Sequence, residues 1–379
     1  MHVTADTGPY GRRRDVAVAA ALAGLGVPLV ATGTPYAVGP GRIVTGGGTP
    51  YQVFTPFSRA WRRHGWSAPA TTPDGIHWSA ADPADLPDPG PPWPVEPELD
   101  GLQLPPVGEA AARQRWRDFV DGALTGYATN RDRPGVAGTS RVSAPLKFGE
   151  LHPRTLLADL QAAGDRDRVP ARDLEVFGNE LCWREFYADV LFHRPETARA
   201  DLRPVYRSMR HDDPATSPPA ADRLAAWYRG TTGYPFVDAG LRQLRAEGWM
   251  HNRVRMIVAS FLVKDLHLPW QLGARHFMHL LVDGDLASNS HGWQWAAGSG
   301  TDASPYVRIF NPVTQGLRFD PAGDYVRRYV PELRHLAGAA AHEPWLAADG
   351  HAHGYPERIV DHALERAESL ARFESMSGR

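Results

Sequence analysis

A single cysteine, Cys182, stands in the 379 residues. One thiol cannot close an intramolecular disulfide, ligate an iron–sulfur cluster or build a cysteine-rich zinc site. Such usage fits a reducing cytoplasm. No uncharged apolar run reaches spanning length, so the chain is expected to stay out of membranes. The first residues lack a basic stretch leading into an apolar core, and no secretory signal is expected. Charge of one sign is scarce too: 41 Lys and Arg against 43 Asp and Glu leave a net −2. That speaks against indiscriminate coating of nucleic acid, but not against a local basic footprint. No His-Glu-x-x-His or comparable ligand set is found, so no metal is expected. Gly46-Gly47-Gly48 lacks the Lys-Ser/Thr that a phosphate loop needs.

What is plentiful is tryptophan, with 12 residues. Their ordinary use is core packing; their special uses are stacking and electron transfer, and composition alone does not choose. Residues 12–24 read as a helix closed by Gly24, and Val27–Ala31 as a short strand. Residues 1–67 are therefore an α/β fragment. A Pro-rich linker follows over 68–108. From 109 to 379 the pattern is helical, over roughly 109–128, 172–194, 235–247, 249–266, 270–282 and 357–375, with Pro and Gly at most breaks. The fold expected is mainly α: an all-helical domain behind an incomplete Rossmann-like fragment. So many polar groups on apolar helices predict an enclosed ligand.

Four constellations carry chemistry. In the segment from Phe177 to Tyr187, Phe177, Glu180, Arg184 and Tyr187 share one helical face. A Glu–Arg pair at i,i+4 is commonly a solvated surface bridge, yet its flanks here are apolar. In Trp249–Met256, Asn252 and Met256 share a face, and Arg253 and Arg255 open an apolar helix. If buried, these arginines need carboxylate or phosphate partners; Asp283 and Asp285 are candidates. The third run, from Asp283 through Gly284, Asp285 and Asn289 to Trp293 and Trp295, reads either as a Gly-rich loop with core aromatics or as small residues admitting a planar ligand. The fourth, Gly138-Thr139-Ser140-Arg141-Val142-Ser143 with Tyr127 and Arg131 upstream, suits a diphosphate or an ordinary helix cap.

Together, in this order and spacing, the blocks resemble the flavin domain of the photolyase/cryptochrome family. The resemblance runs through Asn179–Tyr187, Thr232–Ala239, Gly248–Arg253, Asp283–Leu286 and Ala303–Pro312, from about Arg117 to the C-terminus. Ala137 departs from it, since relatives often carry an acid there. The resemblance implies a class I photolyase that repairs cyclobutane pyrimidine dimers in DNA by light-driven electron transfer from reduced FAD. A cryptochrome-like blue-light flavoprotein without repair is the alternative.

By the same resemblance, FAD would be gripped by Tyr127, Thr139, Ser140, Arg141, Val142, Ser143, Phe177, Glu180, Arg184, Asn252, Arg255, Asp283, Gly284, Asp285 and Asn289. Arg255 would pair with Asp283. Asn289 would face the reactive flavin nitrogen, where plant cryptochromes carry an acid, which favours repair over sensing. DNA and the extruded lesion would meet Arg131, Glu180, Trp183, Arg184, Asn252, Arg253, Met256, Trp295 and Gln315, with Trp183 and Trp295 as stacking walls. Enzymes for the (6-4) lesion place histidine where this chain has Asn252 and Met256. Glu180, Asn289, Met256, Trp293 and Trp270 are the residues expected to serve the chemistry. Trp293 and Trp270 match the inner members of a photoreducing tryptophan chain; Ser208–Pro214 lacks the outer one, for which Tyr206, Trp227 and Tyr228 are the candidates. Residues 1–67 match only the end of the family's first domain, so its front is expected to be missing and no antenna chromophore to bind. A monomer is the family expectation.

Overall fold

The computed structural model describes residues 1–71, 73–76, 101–301 and 308–377. Residue 72 and residues 77–100 of the expected linker, and 302–307 of the block ending at Pro312, lie outside the described residues. β1 (His2–Val3) pairs in parallel with β2 (Val30–Ala31), and α1 (Pro9–Ala23) makes the crossover. α1 starts ahead of the basic run because Pro9 is preset for a first helical turn. The second strand is shorter than Val27–Ala31: β1 offers only two partners, and Pro28 has no N–H to give.

α2 (Phe54–His64) was not legible in the sequence; it buries Phe57, Ala60 and Trp61. The expected 109–128 helix divides into α3 (Glu109–Asp121) and α4 (Tyr127–Asn130), where Gly126 at φ +88° turns the chain. Next come α5 (Ser143–Phe148), α6 (Pro153–Asp165) and α7 (Ala171–His193), the last roughly 35 Å long at 1.5 Å per residue. α8 (Pro218–Arg229) and α9 (Pro235–Glu247) precede the segment read as one helix over 249–266. It is instead α10 (Asn252–Ser260), capped by the His251 ring and running into a π-helical turn at Phe261–Asp265. α11 (Trp270–Leu280) and α12 (Leu286–Ala297) follow. The glycine-bearing third run is therefore helical and not a loop. α13 (Pro312–Phe319), α14 (Asp324–Tyr329) and α15 (His362–Ser377) complete the described helices.

Two apolar clusters hold these helices. One gathers Phe57, Trp61, Trp116, Phe119, Leu156, Phe177 and Phe186 from α2, α3, α6 and α7. The other gathers Trp227, Phe236, Met250, Val258, Phe277, Trp293 and Tyr325 from α8 to α14. α7 packs on α12 and joins them.

Buried carboxylates do the stitching. Glu185 on α7, 3% exposed, accepts from the backbone N–H of Ala37 and Val38 and from Trp61 Nε1, which fastens the N-terminal segment to the helical unit. Asp238, fully buried, accepts from Thr232 N and Oγ, from Gly233 N and from Tyr355 Oη. No helix among the described residues is long and apolar enough to cross a membrane.

Candidate functional site

The C-terminal end of α11, the turn at Asp283 and the first turns of α12 meet α10 at one place. Arg255 Nη2 donates to both oxygens of Asp283, at 2.8 and 3.1 Å, and its Nε donates to Met250 O. Ser143 Oγ donates to Asp283 Oδ2 at 2.7 Å, so the loop holding Thr139, Ser140, Arg141 and Val142 is tied to the same carboxylate. Asp283 is 7% exposed, and burial on this scale requires the pairing it has. Gly284 lets the turn close; a Cβ there would come 3.1 Å from Leu281 O. Asp285 caps α12 by accepting from Ser288 N. Asn289, one turn on, donates from Nδ2 to Ala274 O, which directs its carbonyl oxygen away from α11.

This face of α12 opens at Gly292 into free space, here called the α12 groove. A Cβ built on Gly292 meets no heavy atom within 4 Å, although Trp293 next to it is 2% exposed. On the packed side the contrast is complete: a Cβ on Gly273 of α11 would fall 2.0 Å from Trp293 Cη2. One face of α12 is pressed onto α11, while at Gly292 its backbone is open. A paired guanidinium, a held amide and that open backbone suit a flat, anion-bearing cofactor such as FAD.

At the mouth, Glu180 pairs with Arg131 at 2.6 Å. Its side chain is 31% exposed yet ringed by protein; desolvation raises the carboxyl above its ordinary range, with Arg131 pulling it back. The expected Glu180–Arg184 face pair is thus replaced. Arg184 instead donates to Pro35 O and Leu146 O and lies over the Tyr36 ring at 4.5 Å. Arg184, expected to grip FAD and to hold the DNA strand, is therefore also tied to backbone of the N-terminal segment and of α5, which local spacing does not show.

Arg253 pairs with Asp132, lies over Phe319 and reaches Met256 Sδ at 3.9 Å; Asn252 beside it is exposed. Arg141 lies over Trp249 and pairs with Glu247. Tyr127 and Phe177 are buried 5.2 Å apart in a cluster with Trp116 and Phe119. Gln315 is half-buried in α13.

The two expected stacking walls already have neighbours. Trp183 is stacked on Phe54 with centroids 3.6 Å apart, so one of its faces is covered. Trp295 packs with Phe310 and lies under Arg308. No ring contact links Trp183 with Trp295 among the described residues. Phe54 was missed; its aromatic-rich surroundings were read only as the tail of a domain.

Trp293 touches Phe277 at 5.0 Å and Trp227 at 6.1 Å, and Trp227 touches Tyr228 at 5.6 Å. Trp270 makes no ring contact with Trp293; its Nε1 donates to Asp201 Oδ1. Of the three candidate outer donors, Trp227 and Tyr228 join the rings around Trp293, and Tyr206 lines a cleft with Trp270. No group of three or more His, Cys, Asp or Glu placed to hold a metal occurs among the described residues.

Against known families, residues 177–375 match the FAD binding domain of DNA photolyase, and residues 1–74 match DNA photolyase. The deoxyribodipyrimidine photo-lyase of Streptomyces griseus is 42% identical over 388 residues, covering 100% of this chain and 79% of that protein. The Escherichia coli enzyme of the same name is 43% identical over 343 residues, covering 89% and 70%. A crystal structure of a class III photolyase from Agrobacterium tumefaciens superposes with a TM-score of 0.84 at 37% identity, covering 100% of this chain and 79% of that one. With a class III structure among the relatives, the likeness reaches the family and does not single out class I. On its own fold and on these matches, the chain belongs to the DNA photolyase family.

Proposed function

We propose that this chain is a light-driven deoxyribodipyrimidine photo-lyase, holding FAD in the α10–α12 groove and repairing cyclobutane pyrimidine dimers in DNA. The observation that carries the reading is the convergence of Arg255, Asp283, Ser143 and Asn289 on a groove floored by Gly292. The helical unit, 109–379, supplies the cofactor and DNA site, and residues 1–67 brace it. The single buried cysteine suits a reducing cytoplasm, and a monomer is the working assembly.

Bound FAD supplies the light-excited electron donor. The residues present would do the rest. Arg255 and Asp283 offer a nearly neutral, rigid hydrogen-bonding edge that orients a flat ring. Asn289 offers an amide, which hydrogen-bonds without adding negative charge. Thr139 to Ser143 suit the diphosphate. The lesion has to leave the duplex, because its reacting bonds are out of reach of a buried flavin while the bases stay stacked. Met256, Asn252, the open face of Trp183 and Trp295 would wall it. Glu180, raised above its ordinary range by desolvation and pulled back by Arg131, would contact the damaged bases. Arg131, Arg253 and Gln315 would meet the strand.

The test is to illuminate the purified, flavin-loaded chain with an ultraviolet-treated oligonucleotide. Light-dependent loss of dimers is expected; a flavin spectrum with dimers left intact would favour sensing. A Trp270→Phe variant is expected to lose flavin photoreduction while a chemically reduced sample still repairs. Photoreduction at the parental rate would remove Trp270 from the route and leave the Trp227–Tyr228 rings to carry it.

A further inference from the structure

Arg141, in the loop that enters α5, has φ +51°. That left-handed region costs a residue with a side chain roughly tenfold in population. We propose that Glu247, with Trp249, is a positioning residue that holds Arg141 there and so sets residues 139–143 to meet the FAD diphosphate. The inference rests on the reading that FAD fills the α12 groove.

The Arg141 side chain is taken by protein. Its Nη1 lies 3.0 Å from Glu247 Oε2, and its guanidinium lies 4.1 Å from the centre of the Trp249 ring. What Arg141 offers the cofactor is then its backbone, and the side chain serves as an anchor. The N–H groups of Thr139, Ser140, Arg141 and Val142 donate to no backbone carbonyl among the described residues. Successive N–H groups of this kind, in a stretch that includes a left-handed residue, suit the oxygens of a diphosphate. The stretch is pinned at both ends. A Cβ on Gly138 would come 2.8 Å from Asn130 Cβ, and Ser143 Oγ donates to Asp283. Arg141 is the pin between them.

An exposed ion pair alone would hold little. The Arg141 side chain is 46% exposed, but Glu247, at 16%, is fixed from behind. Its Oε1 accepts from Tyr329 Oη, and its Oε2 accepts from Gln243 Nε2 at 3.3 Å. Gln243 is itself buried; its Oε1 accepts from Tyr325 Oη at 2.7 Å and from His251 N at 3.3 Å. His251 caps α10, the helix that carries Asn252 and Arg255. Glu247 therefore meets the guanidinium already oriented, and little further side-chain freedom is lost when the pair forms. The contact with the Trp249 ring adds to it.

The measurement is release of flavin from the loaded full chain after dilution, followed in the dark by the rise of flavin fluorescence. Glu247→Gln keeps an oxygen for Tyr329 but turns an NH2 toward the guanidinium; release about tenfold faster is expected. Arg141→Gly enters the left-handed region without an anchor, so it should release flavin more slowly than Arg141→Val, which resists that region. Coupling separates positioning from mere structure. In the Arg141→Gly background, Glu247→Gln should change release no further, whereas a structural role would leave its effect intact. Trp249→Leu removes the stacking half alone; it should quicken release several-fold, and it serves if the Glu247 variant fails to fold. Parental release in Glu247→Gln and Trp249→Leu, or an undiminished effect of Glu247→Gln beside Arg141→Gly, overturns this assignment alone. A parent chain that takes up no flavin overturns the cofactor reading with it, so the two failures are told apart.

Discussion

Asp283 answers three donors at once, two contacts from Arg255 and one from the Ser143 hydroxyl. Replacing it with Asn keeps the shape but leaves Arg255 without a counter-charge and puts an NH2 where an acceptor stood. Asp283→Asn is therefore expected to lower FAD affinity on the order of tenfold to a hundredfold. The ratio of flavin to protein absorbance after gel filtration reads this directly, and full retention would break the link between the pair and the cofactor. The partnership was legible in the sequence because charges on an apolar helix demand a buried partner, and few carboxylates were near. The Arg253–Asp132 pair was not, since 121 residues separate its members and nothing local marks Asp132. The partners of Arg184 were hidden for a related reason. Its helical spacing from Glu180 was right, but the Pro35 and Leu146 carbonyls compete for the guanidinium from elsewhere in the chain.

Among the elements, α12 is defined by what its two sides meet. Gly273→Ala must push α11 off Trp293, and overpacking of this kind costs about 1–3 kcal/mol. A fall in Tm is expected. Gly292→Ala sits in the same bundle but meets open space; alanine in mid-helix gains about 0.5–1 kcal/mol over glycine. Its Tm without flavin should not fall, while its flavin content should, since the methyl intrudes on the groove. Equal Tm losses for both would deny the groove.

Between elements, Glu185→Ala strands two backbone donors and the Trp61 indole at about 1–3 kcal/mol for each group left buried and unbonded. Limited proteolysis should then cut the segment before α2 faster than in the parent. No change would mean the fastening lies elsewhere. The sequence pattern marked α7, α9 and α11 well, because their apolar positions recur on one face. It missed α2, which carries Pro56 in its first turn, and α12, whose serine, asparagine and glycine resemble loop composition until packing supplies the stability.

For the whole molecule, acid should be the weak side. His251 and His291 are 2% and 0% exposed, and burial pushes each down to about 4 from an ordinary 6.5. A histidine lowered on folding adds stability that is present above pH 6.5 and lost as pH falls toward 4. Asp265 has the opposite sign: burial pushes it up to about 6, so its contribution returns as pH drops from 6 to 3.8. His276 is likewise pushed down to about 4, and three strongly displaced histidines against one aspartate leave net destabilisation, at about 1.4 kcal/mol for each unit of displacement. Tm measured in low salt should decline between pH 6.5 and 4.5, and His291→Gln should flatten the curve. A pH-independent Tm over that span contradicts the burial argument.

Local pattern marked a helical chain with an α/β fragment in front, and the resemblance carried by its motifs in order implied a flavin and named Arg255, Asp283 and Asn289 as one set. Those readings depend on periodicity and on motif order, which neighbours along the chain carry. Tertiary structure decided that Glu180 takes Arg131, that Phe54 covers Trp183, that Glu185 fastens the N-terminal segment and that Lys264 donates to Ala297 O. Each depends on which distant groups arrive at a buried donor or acceptor, and only packing in three dimensions settles that competition.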